Sequence, residues 1–202
     1  MRIYRSVIVL LLVFMLTGCS STELEERCFP MLVTVGYEDR KVSFDVAYPK
    51  DTGVLSQSAK GADFKQSMEQ YEGRLNKQVD YNHLKVLVFE DEFLKTSNGY
   101  SKMLDDLALM ESFPRNTYVC AVDDVEDLME LEKKVSQDLG TYLEEYLKQH
   151  EENKDKLLTL GDLIDEKGNE NMVYYMPLLE IEDDYIEWNG YMNTEGKTWK
   201  DF

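Results

Sequence analysis

The segment HLKVLVFE (83–90) is the clearest β-strand pattern in the sequence and the starting point for predicting the fold. Its apolar side chains alternate between two faces, with Leu84, Val86 and Val88 on one and Leu87 and Phe89 on the other. A short segment that is apolar on both faces is typical of a buried strand. We therefore expect 83–90 to lie near the centre of a sheet.

Further strands are expected on both sides of this segment. NTYVCAV (116–122) has the same buried character and predicts a second central strand. MLVTVG (31–36) and KVSFDVAY (41–48) predict a hairpin across the polar turn YEDR (37–40). The sheet thus begins near the start of the folded region.

The region 172–193 predicts two more strands, joined at Glu182-Asp183-Asp184. Pro177 cannot donate a ladder hydrogen bond, so it places the first of these strands at a sheet edge or at a bulge. Residues 49–61 collect Pro, Gly and Ser and predict a loop.

Apolar residues at helical spacing predict five helices, at 62–76, 99–112, 123–134, 136–152 and 159–166. Asp63 lies near the start of the first, Asp123 and Asp124 begin the third, and Ser136 is expected to cap the fourth. The order of elements is ββαβαβαααββ. It predicts an α+β fold, a single domain with a mixed β-sheet packed by helices.

The N-terminus carries a second kind of signal. Arg2 and Arg5 precede an apolar run of ten residues, 7–16, which is too short to span a bilayer and is typical of a cleavable signal peptide. The run ends in LTGC (16–19), which resembles the lipobox of bacterial lipoproteins. The resemblance implies cleavage before Cys19 and a diacylglyceryl group on its sulfur. The alternative is an ordinary signal peptide with a chance cysteine.

These patterns divide the chain into four parts. Residues 1–18 are expected to be the signal peptide, 19–27 a lipidated tether, 28–195 the α+β domain and 196–202 a tail. Two acyl chains hold a protein firmly at a membrane, at about 0.8 kcal/mol per buried methylene. The protein is therefore expected to be anchored to the membrane without spanning it.

The charge of the chain restricts its partners. The formal net charge is −18, and removal of two arginines with the signal peptide makes it −20. Such a body is repelled by nucleic acid and by anionic membrane surfaces. We expect no nucleic-acid binding, and a domain that stands off the membrane surface. A hydrophobic content of 43% argues against disorder.

Few residues offer catalytic or metal chemistry. The two histidines, His83 and His150, have no second histidine or cysteine at ligand spacing. We expect His83 to be a hydrogen-bonded residue at the start of a strand, and His150 a solvated cation at a helix end. We expect no metal site, no cofactor and no catalytic residues, and we do not expect the protein to be an enzyme.

The sequence also contains clusters of acidic residues and two further cysteines. Glu90-Asp91-Glu92 and Glu182-Asp183-Asp184 are close sets of carboxylates, but forty acids make such sets inevitable. A calcium cluster at 182–184 is the alternative to a solvated turn. Cys28 and Cys120 are expected to be two buried free thiols, with a disulfide between them as the alternative.

Several segments together resemble a known family. In order from Cys19 to about Met192, they are TGC with ELEE, LVTVGYE, NHLKVLVFEDEFL, PRNTYVCAVDD and MPLLEIEDDYIEWNGY. The set is similar to the N-terminal domain of Ger(x)C-type spore germination lipoproteins, the C subunits of nutrient germinant receptors. This chain departs from the family in two ways. It has Ser20 where the family commonly has Trp, and family members continue into further C-terminal domains beyond the position that matches Phe202. The chain is either a stand-alone paralogue or part of a longer or interrupted product.

The resemblance implies a lipid-anchored, non-enzymatic subunit that supports the response to small nutrients. It implies a multi-pass A-type subunit and a transporter-like B-type subunit as partners in the inner membrane of the spore, and Cys19 as the site of lipid attachment. The first alternative is a cell-surface lipoprotein that captures a small ligand or peptide. The second is an anchored hydrolase that uses carboxylates.

Overall fold

The computed structural model describes residues 26–54, 57–151, 157–166, 175–193 and 198–199. The predicted signal peptide, Cys19 and almost all of the tether lie outside the described residues, as do positions 152–156 of the charged link. None of the described helices is both long and apolar enough to cross a bilayer.

The described strands, in chain order, are β1 (Arg27–Cys28), β2 (Leu32–Glu38), β3 (Lys41–Ala47), β4 (Gln57–Gly61), β5 (Gln78–Val79), β6 (Val86–Glu90), β7 (Tyr118–Val122), β8 (Tyr175–Glu182), β9 (Tyr185–Asn193) and β10 (Thr198–Trp199). The described α-helices are α1 (Phe64–Glu72), α2 (Asp91–Lys95), α3 (Ser97–Leu109), α4 (Val125–Lys134), α5 (Leu139–Glu151) and α6 (Leu160–Glu166). Short 3₁₀ turns lie at Lys50–Thr52 and Tyr81–His83.

Eight of the described strands form one mixed sheet, in the order β10-β9-β8-β7-β6-β2-β3-β4. The four strands β2, β6, β7 and β8 run parallel to one another, and the outer strands are antiparallel. The predicted central strands 83–90 and 116–122 correspond to β6 and β7, which occupy the middle of the sheet. The α+β prediction, one domain with a mixed sheet packed by helices, is confirmed.

Helices cover both faces of the sheet, so each central strand contributes to two apolar clusters. Leu87 and Phe89 pack in one cluster with side chains of α1, α2, α3 and α6. Val86 and Val88 pack in the other with side chains of α4 and α5. Leu84 was predicted to share a face with Val86, but it precedes β6 and lies in the first cluster. Alternation holds only from where the strand begins.

The hairpin between β2 and β3 closes at the predicted turn. Asp39 and Arg40 both have positive φ, at 52° and 63°. Two consecutive left-handed residues are the mark of a type I′ turn, whose twist matches that of the flanking strands. Asp accepts this conformation more readily than most residues, and Arg40 is the less usual occupant.

Two predicted boundaries differ from the structure. The predicted loop 49–61 contains the edge strand β4, which pairs with β3. The predicted cap Ser136 is wrong, since the side chain of Asp138 accepts a hydrogen bond from the backbone N–H of Thr141 at 2.8 Å and so caps α5. An Asp at this position stabilises the first turn better because its charge also faces the helix dipole.

Two other local predictions are confirmed. The register of β8 against β9 shifts between Pro177 and Leu179, so Pro177 lies at a bulge. Asp63 and Asp124 cap α1 and α4, each accepting hydrogen bonds from backbone N–H groups of the first turn. The bulge accommodates Pro177 because a residue at a bulge need not donate the ladder hydrogen bond for which proline has no N–H.

Candidate functional site

The point at which the chain enters the domain is fixed by several contacts. β1 pairs in parallel with β5, and the backbone N–H of Asp80 donates to the carbonyl of Cys28 at 2.9 Å. The guanidinium of Arg27 lies 3.2 Å from the carboxylate of Asp80. The predicted lipid site Cys19 lies outside the described residues, and the chain it would anchor joins the fold at this ion pair.

A buried polar cluster lies directly behind the entry point. The hydroxyl groups of Tyr48 and Tyr71 share a hydrogen bond of 2.5 Å, and the thiol of Cys28 lies 3.5 Å from the Tyr48 hydroxyl. Burial raises the pKa of both tyrosines, so both hydroxyls stay protonated. The Tyr81 hydroxyl donates to Glu72 at 3.1 Å. The cluster holds β1, called the entry strand, against α1 and the end of β3.

Both thiols are free and buried, as predicted. Cys28 belongs to the cluster on one face of the sheet and Cys120 to the cluster on the other. The sheet therefore separates the two sulfurs, and the alternative of a disulfide is wrong. Complete burial raises the pKa of Cys120, which keeps it in the unreactive thiol form.

The two histidines lie in different surroundings. His83 is exposed at the end of the 3₁₀ turn, where its ring meets the edge of the Phe29 ring at 5.0 Å. His150 is half-buried, and its ring stacks on Trp188 at 5.3 Å and contacts Tyr146 at 4.4 Å. His150 lies in the last turn of α5 as predicted, and its Nδ1 lies 2.8 Å from the Tyr146 carbonyl. It is half-buried between two aromatic rings rather than fully solvated.

Glu90 is a half-buried carboxylate at the carboxyl end of a central strand. It ends the central strand β6, and one oxygen accepts the backbone N–H of Tyr37 at 2.7 Å. Burial raises its pKa, and the neighbouring Asp124, Glu92 and Asp91 raise it further, against the opposing effect of the Tyr37 N–H. It joins the ends of β2 and β6.

The other predicted acidic set lies in the turn between β8 and β9. Its residues are exposed, and the Lys134 ammonium donates to the backbone carbonyl of Asp183. Within the described ranges no group of three or more His, Cys, Asp or Glu side chains is arranged to hold a metal ion. The geometry is that of a surface turn tied to the end of α4.

Open clefts mark the described surface, and three of them have volumes between about 300 and 540 Å³. The smallest, of about 300 Å³, lies beside the entry point and is lined in part by Cys28, Val54, Leu75 and Lys77. Another, of about 480 Å³, lies between α1 and the α2–α3 junction, where Lys102 pairs with Asp63. The third, of about 540 Å³, adjoins Tyr142 and Asp184.

The sequence predicted β3 and α1, but it predicted neither β1, β5 and the 3₁₀ turn nor the tyrosine cluster. Its members come from β1, the end of β3, α1 and a 3₁₀ turn, and are brought together only by the fold. The sequence does carry one relevant signal, a total of 13 tyrosines, but a count does not say which of them meet.

Comparisons with known proteins concern the family of the chain. A search of curated proteins found no match. Among solved structures, the "Crystal Structure of the GerBC protein" is similar with a TM-score of 0.39 and 12% sequence identity. The alignment covers 80% of this chain and 47% of that one, so this chain spans about half the length of the solved relative.

The family described as "Spore germination protein N-terminal domain" matches residues 20–181, which is most of the chain. The match begins directly after Cys19 and runs through the entry strand, both central strands and β8. The chain therefore belongs to this family of GerAC-type spore germination proteins.

Proposed function

We propose that the protein is a lipid-anchored, non-enzymatic subunit of a spore nutrient germinant receptor, which supports germination through protein–protein interaction at the membrane. The observation that carries the proposal is the family match over residues 20–181. Cys19 is the lipid-attachment site, residues 1–18 are the signal peptide and 19–27 the tether. The domain at 28–195 and the tail at 196–202 lie outside the bilayer.

The proposed partners are the multi-pass A-type subunit and the transporter-like B-type subunit, on the extracytoplasmic face of the spore inner membrane. The chemistry of the described residues supports a role in interaction rather than catalysis. The histidines lie against aromatic rings, and the two thiols are buried on opposite faces of the sheet. The described surface instead offers acidic loops and half-buried aromatic side chains, which suit contacts with other proteins.

Membrane attachment is tested by replacing Cys19 with Ala and fractionating cells. The variant should leave the membrane fraction and lose labelling with a palmitate analogue, because one thioether carries the anchor. Ser21→Ala is the matched control and should behave as the parent protein. Unchanged partitioning of Cys19→Ala would contradict the anchor.

Receptor membership is tested by purifying the protein from detergent-solubilised spore membranes. Multi-pass subunits should co-purify with the parent protein, and deletion of its gene should impair germination with one class of nutrient while leaving growth unaffected. The Cys19→Ala form should rescue poorly, because loss of the anchor lowers its effective concentration at the membrane. Normal germination of the deletion strain with every nutrient would favour the ligand-capturing lipoprotein instead.

A further inference from the structure

The parallel strands give the sheet two chemically different ends. β2, β6, β7 and β8 run in one direction, so their carboxyl ends lie together. Each of the four strands ends on carboxylates or is followed directly by them. This acidic end comprises Glu38, Asp39, Glu90, Asp91, Glu92, Asp123, Asp124, Glu182, Asp183 and Asp184. Lys60 pairs with Glu38 and Lys95 with Asp91, each at 2.5 Å, and Lys134 donates to the carbonyl of Asp183. With Arg40 and Lys41 in the adjoining hairpin, five bases face ten acids, so this end keeps a net negative charge.

The opposite end, called the entry end, is formed by the segments that precede β2, β6 and β7, namely 26–31, 80–85 and 111–117. These segments carry three bases and three acids, so they are formally neutral when His83 is neutral. The bases are Arg27, Lys85 and Arg115, and the acids are Glu26, Asp80 and Glu111. The large negative charge of the protein is therefore unevenly distributed between the ends of its sheet.

The tether joins the domain at the entry end. β1 lies three residues before β2 and is held by Asp80, which lies in the segment leading to β6. Residues 20–26 separate Cys19 from Arg27, and seven residues reach at most about 25 Å when fully extended. The seven residues of β2 place the acidic end about 23 Å further along the strand.

We propose that the anchored domain is oriented with its entry end toward the bilayer and its acidic end toward the aqueous phase. The inference rests on the proposed lipid anchor at Cys19. An anionic leaflet repels the acidic end, while the neutral entry end approaches without a comparable penalty. The two ends are separated by more than twice the screening length of about 8 Å at physiological salt, so the leaflet discriminates between them.

Aromatic side chains at the entry end suit the same orientation. Phe29 lies two residues after Arg27 in the chain and is half-buried, whereas His83 is exposed. Their rings meet edge to face, with the centroids 5.0 Å apart. The histidine ring has an apolar body and a polar tip, which suits the level of lipid headgroups, and the apolar ring of Phe29 packs against it. The domain thus stands on a neutral, partly aromatic surface.

The orientation is tested by energy transfer from a dye on the lipidated protein to an acceptor on lipid headgroups. Dyes are attached to Asn116→Cys at the entry end or to Asp184→Cys at the acidic end, both of which are exposed positions. Cys28 and Cys120 are buried, so the parent protein serves as the labelling background. Vesicles contain phosphatidylglycerol mixed with phosphatidylcholine, or phosphatidylcholine alone.

Transfer should be higher from position 116 than from position 184 on the anionic vesicles, and the difference should shrink at high salt or on neutral vesicles. Equal transfer from a protein that floats with the vesicles, or higher transfer from 184, would overturn the orientation alone. If the difference in transfer between positions 116 and 184 were the same on neutral vesicles, repulsion by the anionic leaflet would not be the cause of the orientation. Failure of the Cys19-containing protein to float with vesicles would overturn the anchor itself.

Discussion

A carboxylate oxygen of Glu90 accepts a hydrogen bond of 2.7 Å from the backbone N–H of Tyr37. This bond joins the carboxyl ends of the neighbouring parallel strands β6 and β2. The backbone at Gly36 approaches the same oxygen so closely that a Cβ there would lie 2.7 Å from it. Gly36 thus leaves the space that the carboxylate occupies. The charge is held where burial and three neighbouring acids disfavour it.

Replacing Glu90 with Gln should increase the free energy of unfolding at neutral pH. The folded pKa of Glu90 lies above the ordinary glutamate value of 4.5, so the folded state binds the proton more tightly than the unfolded state. The free energy of unfolding of the parent protein should therefore fall as pH rises from 4.5 through the folded pKa of Glu90. Above the folded pKa, this contribution should stay lost. Gln keeps an oxygen for the Tyr37 N–H and removes this loss. Denaturant unfolding at a series of pH values measures it.

Glu92→Gln is the control, because it removes the same charge from an exposed neighbour. It should change the pH dependence less than Glu90→Gln does. If the two variants had identical pH profiles, the general acidity of this end of the sheet would explain the effect, and burial of Glu90 would not.

Replacing Leu87 with Ala should lower the free energy of unfolding by about 2–5 kcal/mol, as truncation of a buried side chain leaves a cavity. Leu87 is 0% exposed in the central strand β6, whereas Leu109, at the end of α3, is 85% exposed. Leu109→Ala is therefore the matched control and should change stability by less than about 0.5 kcal/mol. Similar effects of the two substitutions would contradict the central position of this strand.

The central strands could be predicted because their patterns are local. Burial on both faces requires a continuous apolar run, and 83–90 and 116–122 each contain one. The edge strand β4 has the sequence QSAKG, in which only Ala59 and Gly61 are buried, so its own pattern does not distinguish it from a loop. Its backbone pairs with β3, and the guanidinium of Arg74 donates to the carbonyl of Ser58 at 2.7 Å.

The same distinction applies to the candidate site. The prediction at Cys19 depends on adjacent residues, which a sequence displays directly. The separation of Cys28 from Cys120 depends on which face of the sheet each thiol meets, and Cys28 lies in a two-residue strand with no alternation to read. Long-range packing decided what local spacing left open.

The cap of α5 provides a direct test of a corrected assignment. Asp138→Ala should lower the free energy of unfolding by about 1 kcal/mol, because the backbone N–H of Thr141 loses its acceptor. Ser136→Ala should have little effect, since the structure gives the capping role to Asp138. Denaturant unfolding of both variants measures the difference, and a larger loss for Ser136→Ala would restore the sequence-based assignment.

The native thiols should resist modification by a soluble thiol reagent until the protein unfolds. Cys28 and Cys120 are 4% and 0% exposed, and burial raises the pKa of Cys120. Both should react in denaturant without prior reduction, because neither is in a disulfide. Mass spectrometry counts the modified sulfurs. A requirement for reductant before both sites react would contradict the free-thiol assignment.

The tyrosine pair behind the entry strand predicts an asymmetric response to loss of a hydroxyl. Tyr48→Phe removes the partner of the Tyr71 hydroxyl, for which the described residues give no second side-chain partner. An unsatisfied buried hydroxyl costs about 1–3 kcal/mol. Tyr71→Phe should cost less, because the Tyr48 hydroxyl keeps the Cys28 thiol at 3.5 Å.

The double variant Tyr48→Phe, Tyr71→Phe separates this contact from simple loss of polar groups. With both hydroxyls removed, no group of the pair is left buried without a partner, so the double variant should lose less free energy of unfolding than the two single variants together. Denaturant unfolding of all four proteins completes the cycle. Strict additivity would show that the two hydroxyls do not stabilise each other, and the entry strand would then depend on its β1–β5 pairing and on the Arg27–Asp80 ion pair instead.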